Sequence, residues 1–207
     1  MKKATALGLA GLLFAASVAS AQVNTVPQVG QINSIIRVPT YTATSIGLVP
    51  AASATDIFCL NASATKNISV TRVTIDGTAG TAVTTPFILY RRVSQDTGGT
   101  AATGLALPVA VPLNSTDPAS TATLTAYTAN PTIVDSSPSL VGANLVSVAV
   151  TTSVGLQETM RYGSSTDIFN RRIDLAKGST QQLCVNLNAV SISSGVLMIN
   201  LEWQEQP

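Results

Sequence analysis

The sequence predicts an all-β fold, an antiparallel sandwich or jelly roll of about ten short strands. Three observations lead there. After residue 21 no apolar stripe of helical period is long enough to define a helix. Short runs rich in Val, Ile, Thr and Tyr recur between clusters of Gly, Pro, Asn and Asp, as strands and turns do. The last run alternates: Leu197, Ile199, Leu201 and Trp203 share one face, and Met198, Asn200 and Glu202 the other.

Taken in order, residues 22–32, with Pro27 and Gly30, read as an extended arm. We assign 22–34 to that arm and 35–207 to a single domain. Residues 35–38, 46–49 and 57–60 are short apolar runs. Residues 67–76 are β-branched and end at Asp76-Gly77, a hairpin-turn signal. Within that run the apolar phase changes, from Ile68 and Val70 to Val73 and Ile75. One face cannot bury both sets, so either a bulge near Thr71-Arg72 or burial of both faces is expected. Residues 86–93 form the next strand. Residues 94–116 contain Gly98-Gly99, Gly104, Pro108 and Pro112, and read as a large excursion holding one short strand near 105–111. Asp117-Pro118 fits the cap and first position of one helical turn through Ala122. Residues 121–127 alternate as a strand that Asn130-Pro131 ends. Runs at 144–152, 158–162, 168–176, 182–190 and 196–203 complete the set.

Residues 1–21 have the order of a bacterial secretory signal: basic Lys2-Lys3, an apolar run, then small residues at Ala19-Ser20-Ala21. Cleavage is expected after Ala21, placing the protein in the periplasm, at the cell surface or outside the cell. No membrane span is expected in the mature chain, because the uncharged stretch at 136–157 is broken by Ser, Thr, Pro, Gly and Asn. Without Lys2 and Lys3 the 11 basic residues no longer outnumber the 10 acidic ones. Nucleic-acid binding depends on clustered Lys and Arg, so no nucleic-acid partner is expected. Arg91-Arg92 and Arg171-Arg172 are the close basic pairs, and both suit strand ends. Charged residues make up 10% of the chain, well below the ~25% usual for globular domains. That poverty fits either a hydroxyl-rich exposed surface or one covered by other subunits.

Little chemistry is visible. The chain has no histidine, which removes Ser-His-Asp and Cys-His arrangements and the commonest zinc ligands. Asp76, Asp96, Asp117 and Asp135 adjoin Gly, Thr, Pro or Ser and read as turn residues. Gly98-Gly99 lacks the context of a phosphate loop. The sequence gives no catalytic, cofactor-binding or metal-binding residue, and no cofactor. Cys59 and Cys184 lie in strand-like runs, and export permits a bridge between them; the alternative is two buried thiols. Trp203 falls on the apolar face of its strand. Tyr41, Tyr127, Tyr162 and Tyr90 remain as aromatics for a binding surface.

Two stretches together resemble phage and phage-like β-sandwich structural proteins. One runs from Ser63 through Lys66-Asn-Ile-Ser-Val-Thr-Arg-Val-Thr-Ile-Asp-Gly77. The other begins at Tyr90-Arg-Arg-Val-Ser-Gln-Asp-Thr-Gly-Gly-Thr100. It continues through Val111-Pro-Leu-Asn-Ser-Thr-Asp-Pro-Ala119 and Ala122-Thr-Leu-Thr-Ala-Tyr-Thr-Ala-Asn-Pro-Thr132. The likeness covers mainly residues 55–132, and more weakly 197–203. It implies a virion-associated structural protein with no catalytic residues. The expected function is therefore non-enzymatic: an exported structural or assembly module that self-associates, a closed trimer being one form, or docks on a larger assembly. A secreted or surface binding domain of adhesin type is the alternative.

Overall fold

The computed structural model describes residues 37–135, 138–150, 157–163 and 172–207. The signal, the arm over 22–34 and Arg171 lie outside the described residues. The elements are β1 (Thr40–Leu48), β2 (Asp56–Asn61), β3 (Asn67–Ala79), β4 (Val83–Arg92), β5 (Thr100–Ala101), β6 (Val111–Pro112), β7 (Thr123–Ala129), β8 (Ser139–Val150), β9 (Glu158–Arg161), β10 (Ile173–Leu175), β11 (Gln182–Asn186) and β12 (Val196–Gln206). Among the described residues one 3-10 turn stands at Gly104–Ala106. Among the described residues no helix is long and apolar enough to cross a membrane.

The twelve strands make one mostly antiparallel, strongly curled open sheet, in the order β5-β7-β2-β11-β4-β8-β3-β12-β1-β6. Two flanks face each other across the core. One is β5-β7-β2-β11-β4, and the other is β3-β12-β1-β6, with β9 and β10 on the free edge of β3. β8 joins them: it pairs with β4 from Arg91↔Ser139 to Val83↔Val148, then runs parallel to β3 at Thr78↔Ala149 and Ala79↔Val150. The core draws on both flanks, with Phe58, Leu89 and Val185 from one and Ile75, Leu201 and Trp203 from the other.

Several sequence expectations meet their geometry here. β12 buries alternate residues from Leu197 through Glu205. Arg72 pairs with Glu202 and Val70 with Trp203, so Thr71 is the extra residue of a bulge that reconciles the two apolar phases. Asp76-Gly77, by contrast, is not a turn. β3 runs on to Ala79, and a Cβ on Gly77 would stand 2.6 Å from both Leu197 Cδ2 and Val196 O. Glycine is needed there because β12 approaches closely, which a sequence signal for turns cannot distinguish. Asp117-Pro118 does not cap a helix either. Asp117 N–H bonds Asn114 O in a turn, and its carboxylate pairs with Arg37. The single short strand expected near 105–111 is instead the 3-10 turn followed by β6.

β2 and β11 are buried along nearly their whole lengths. Phe58, Leu60, Leu183 and Val185 face the main core. Period-two alternation sends Cys59 and Cys184 to the opposite face, where they form a separate buried cluster with Tyr127. That face is covered by residues 93–99 and 130–135, which bond each other through Thr97 and Thr132. The molecule thus has a third layer over part of one flank.

Candidate functional site

The densest polar chemistry lies beneath that cover. β4 ends at Arg91-Arg92, and alternation turns the two side chains to opposite faces. Arg92 is only 2% exposed. It donates from Nε to Asp56 Oδ2 (2.6 Å) and from Nη2 to Asp56 Oδ1 (2.9 Å), a bidentate pair. Its Cζ lies 5.2 Å from the centre of the Tyr90 ring. Asn186 also donates to Asp56. Arg92 Nη1 reaches the carbonyl of Asp135 (3.4 Å), and the Asp135 carboxylate accepts Val93 N–H (2.8 Å). The ion pair therefore ties the two cover segments to β2 and β4.

Charge is unbalanced in this centre. One guanidinium serves Asp56, Asp96 and Asp135. Burial disfavours the Arg92 charge, but the Asp56 hydrogen bonds and charge outweigh it and hold its pKa above the usual value. Asp96 goes the other way. Burial, then the neighbouring Asp56 carboxylate, push its carboxyl up to about 7, with Arg92 only partly opposing. Asp96 Oδ1 stands 4.0 Å from Arg92 Nε and has no hydrogen-bond partner. Tyr127 is also raised, first by burial and then by Asp96.

Cys59 and Cys184 are joined by a disulfide between directly opposite residues of β2 and β11, Cα atoms 4.2 Å apart and 125 residues apart in sequence. Asp96 Oδ2 rests 3.9 Å from each sulfur. Asp56, Cys59, Asp96 and Cys184 bring four donor atoms within 4.8 Å. In the bridged form they do not make a metal centre: the sulfurs are spent on each other, and the Arg92 guanidinium already neutralises Asp56. The Arg92, Asp56 and Asp96 side chains are all closed to solvent.

Two open polar grooves lie elsewhere. One, of about 420 Å³, crosses β1, β12, β3 and β9. The row Thr44–Asn200–Thr74–Thr159 runs across it in register, with Asn200 Nδ2 donating to the hydroxyls of Thr42 (2.9 Å) and Thr44 (2.8 Å). The other, of about 410 Å³, brings Arg91 and Arg172 together beside Asp174 and Gln181. A third feature is apolar: Leu105, Leu107, Val109, Val111 and Leu113 are all exposed along the excursion.

The aromatic candidates fare differently. Trp203 is fully buried and its Nε1 donates to Glu205 Oε1 (3.2 Å). Tyr41 is not on a binding surface: it is buried, stacked on Trp203 at 5.8 Å, and bonded to Pro118 O. Tyr127 is buried against the disulfide. Tyr162 is half-buried, and burial pushes its hydroxyl up to about 12. Tyr90 is the aromatic nearest the buried guanidinium. Of the four aspartates read as turn residues, Asp117 sits in a turn, Asp76 lies within β3, Asp135 is buried and bonded to Arg92 and Val93, and Asp96 turns a buried carboxyl toward Arg92.

Glu205 carried no signal in sequence. Its carboxylate, 3% exposed, accepts from Ser120 Oγ (2.6 Å), Thr121 Oγ1 (2.7 Å), Thr121 N–H and Trp203. Burial would raise its pKa, but these donors hold it below the usual glutamate range. No protein-family model, curated protein or solved structure matches the chain.

Proposed function

We propose that the chain is a non-enzymatic structural or assembly protein of phage-like type, exported by residues 1–21 and self-associating. In this reading the curled sheet acts as a β-sandwich, its two flanks forming the opposed layers. One observation carries it: a row of large apolar side chains, Leu105 through Leu113 at alternate positions, stands in solvent on a chain with few charges. Contiguous exposed apolar surface of this kind belongs at contacts between proteins. The buried acids support the non-enzymatic side, because Asp56 is paired with Arg92 and the side chains of Asp56 and Asp96 are both closed to solvent. The assembly is a closed homo-oligomer, or one component of a larger particle, formed in the periplasm, at the cell surface or on a virion. A nucleic-acid partner is not part of this reading: among the described residues Arg92 is spent on Asp56, and Arg91 and Arg172 meet beside Asp174.

A second reading rests on the Thr44–Asn200–Thr74–Thr159 row. A broad groove of hydroxyls and amides, with Arg72, Arg161 and Glu202 beside them, suits a polar ligand such as a glycan, as an adhesin-type domain would present. Light scattering on residues 22–207 over a wide concentration range tests the first reading. A species larger than one chain is expected. A strict monomer, together with glycan binding lost on Asn200→Ala, would replace it by the second. Intact-mass measurement of protein from its native host tests export: a mass beginning at Gln22 is expected, and one retaining residues 1–21 refutes cleavage.

A further inference from the structure

We propose that residues 105–113 form a twofold-symmetric contact between two copies of this chain. The proposal rests on the self-association reading and names its surface.

The segment reads Leu-Ala-Leu-Pro-Val-Ala-Val-Pro-Leu. Large and small residues alternate, and their placement is the reverse of a core strand. Leu105, Leu107, Val109, Val111 and Leu113 are 46% to 77% exposed. Pro108 is buried, and Ala106 and Ala110 pack against the core. Backbone contacts fix this orientation. Ser45 Oγ donates to Ala106 O (2.6 Å), Val111 and Pro112 pair with Thr42 and Tyr41, and Leu113 N–H bonds Thr40 O (2.8 Å). Small residues let the ribbon lie close beside β1. The large ones cannot turn inward, because the backbone that carries them is pinned on that side.

Three features make a second copy the occupant. First, the outward set is self-complementary. The chain turns at Gly104–Ala106, and over the stretch that follows an antiparallel match about Val109 sets Leu107 against Val111 and Val109 against its own copy, with Leu105 and Leu113 apolar at the two flanks, so every meeting is apolar on apolar. This is what an isologous interface requires of one patch. Second, the ribbon carries no charge, so the symmetry brings no like charges together. Arg37 and Asp117 pair with each other beside Leu113, as a polar rim does. Third, the area reaches the threshold: complete cover of these five side chains, at roughly 100 Å² each, removes about 1,000 Å² over both copies, where specific interfaces begin. Strand addition by an unrelated peptide is disfavoured, because Pro108 and Pro112 remove two donors from this edge. A membrane surface is disfavoured by the absence of lysine, arginine and tryptophan from the ribbon.

The test uses the protein as secreted. Light scattering compares it with Val109→Asp, which sets two carboxylates together on the axis, and with Leu145→Asp, an exposed apolar residue on β8. The expected result is a dimer weakened at least tenfold by Val109→Asp and unchanged by Leu145→Asp. Thermal melting of Val109→Asp checks that it still folds. Register is read by cysteine: Val109→Cys should cross-link to a covalent dimer under mild oxidation, and Leu105→Cys alone should not. An oligomer unaffected by Val109→Asp overturns the ribbon contact and leaves self-association standing. A strict monomer at every concentration overturns both. A trimer, or sedimentation with phosphatidylglycerol vesicles that Val109→Asp abolishes, overturns the twofold dimer.

Discussion

Replacing Asp96 by Asn removes the charge of one buried carboxyl and keeps its shape. Asp96 is pushed up to about 7 by burial and by Asp56, against about 3.9 for aspartate in an unfolded chain. A carboxyl raised in this way keeps its proton longer in the folded state. Between about pH 4 and pH 7 the folded protein therefore holds more protons than the unfolded chain, and stability falls as pH rises. Three units at about 1.4 kcal/mol each give a loss approaching ~4 kcal/mol, complete above about pH 7. The side chain is fully buried, so solvent relieves little of this while the cover stays closed. Opening of residues 93–99 would cap the loss at the cost of that opening, which places the measurable effect at about 2–4 kcal/mol. Urea unfolding across this range is the assay. The two proteins should differ by under ~1 kcal/mol near pH 4.5 and by about 2–4 kcal/mol, with Asn the more stable, near pH 8. Parallel curves for the two proteins, or a less stable Asn variant near pH 8, would refute a neutral acid at this position.

Three other outcomes follow from the same interior. Arg92→Met leaves Asp56 buried without its cation and should cost about 3–5 kcal/mol in urea unfolding, part of which Asp56→Asn restores in the double variant. Cys59→Ser with Cys184→Ser should lower stability by about 2–5 kcal/mol. In the native protein the bridge should resist reductant until unfolding, since both sulfurs are buried; alkylation followed by mass mapping reads this. Glu205→Gln should cost about 1–3 kcal/mol at neutral pH through weakened hydrogen bonds. The Glu205 pKa is depressed in the fold, so its contribution is present above the ordinary glutamate range and is lost as pH falls through the depressed value. Acid titration of stability should show a shallower loss for the Gln variant.

Much of the strand content was legible because it depends on local pattern. The alternation of residues 196–203 and the phase change around Thr71 each reflect which side chains one face can bury, and both appear as β12 and as the bulge. Failures came where distant residues decide. Asp76-Gly77 looks like a turn unless Leu197 is known to pack against it. Asp117-Pro118 looks like a helix start unless Arg37 and Asn114 are known to hold it. The Arg92–Asp56 pair joins strands 36 residues apart, and nothing in either neighbourhood marks it. Residues 105–111 suggest one short strand, but alternation between large and small apolar residues marks neither the 3-10 turn at Gly104–Ala106 nor which set faces water.

The position of β12 constrains how this molecule can be made. The last strand lies between β1 and β3, pairing Thr40 with Gln204 and Asn67 with Gln206. Neither neighbour can be completed by residues close to it in sequence. Until residues 196–206 are available, β1 has no full-length partner and the Trp203 side of the core is open. A nascent chain is therefore held in a non-native state by its own topology, and its closure is slow because the decisive contacts span most of its length. Folding of this domain therefore follows the synthesis of residues 196–206 instead of accompanying it.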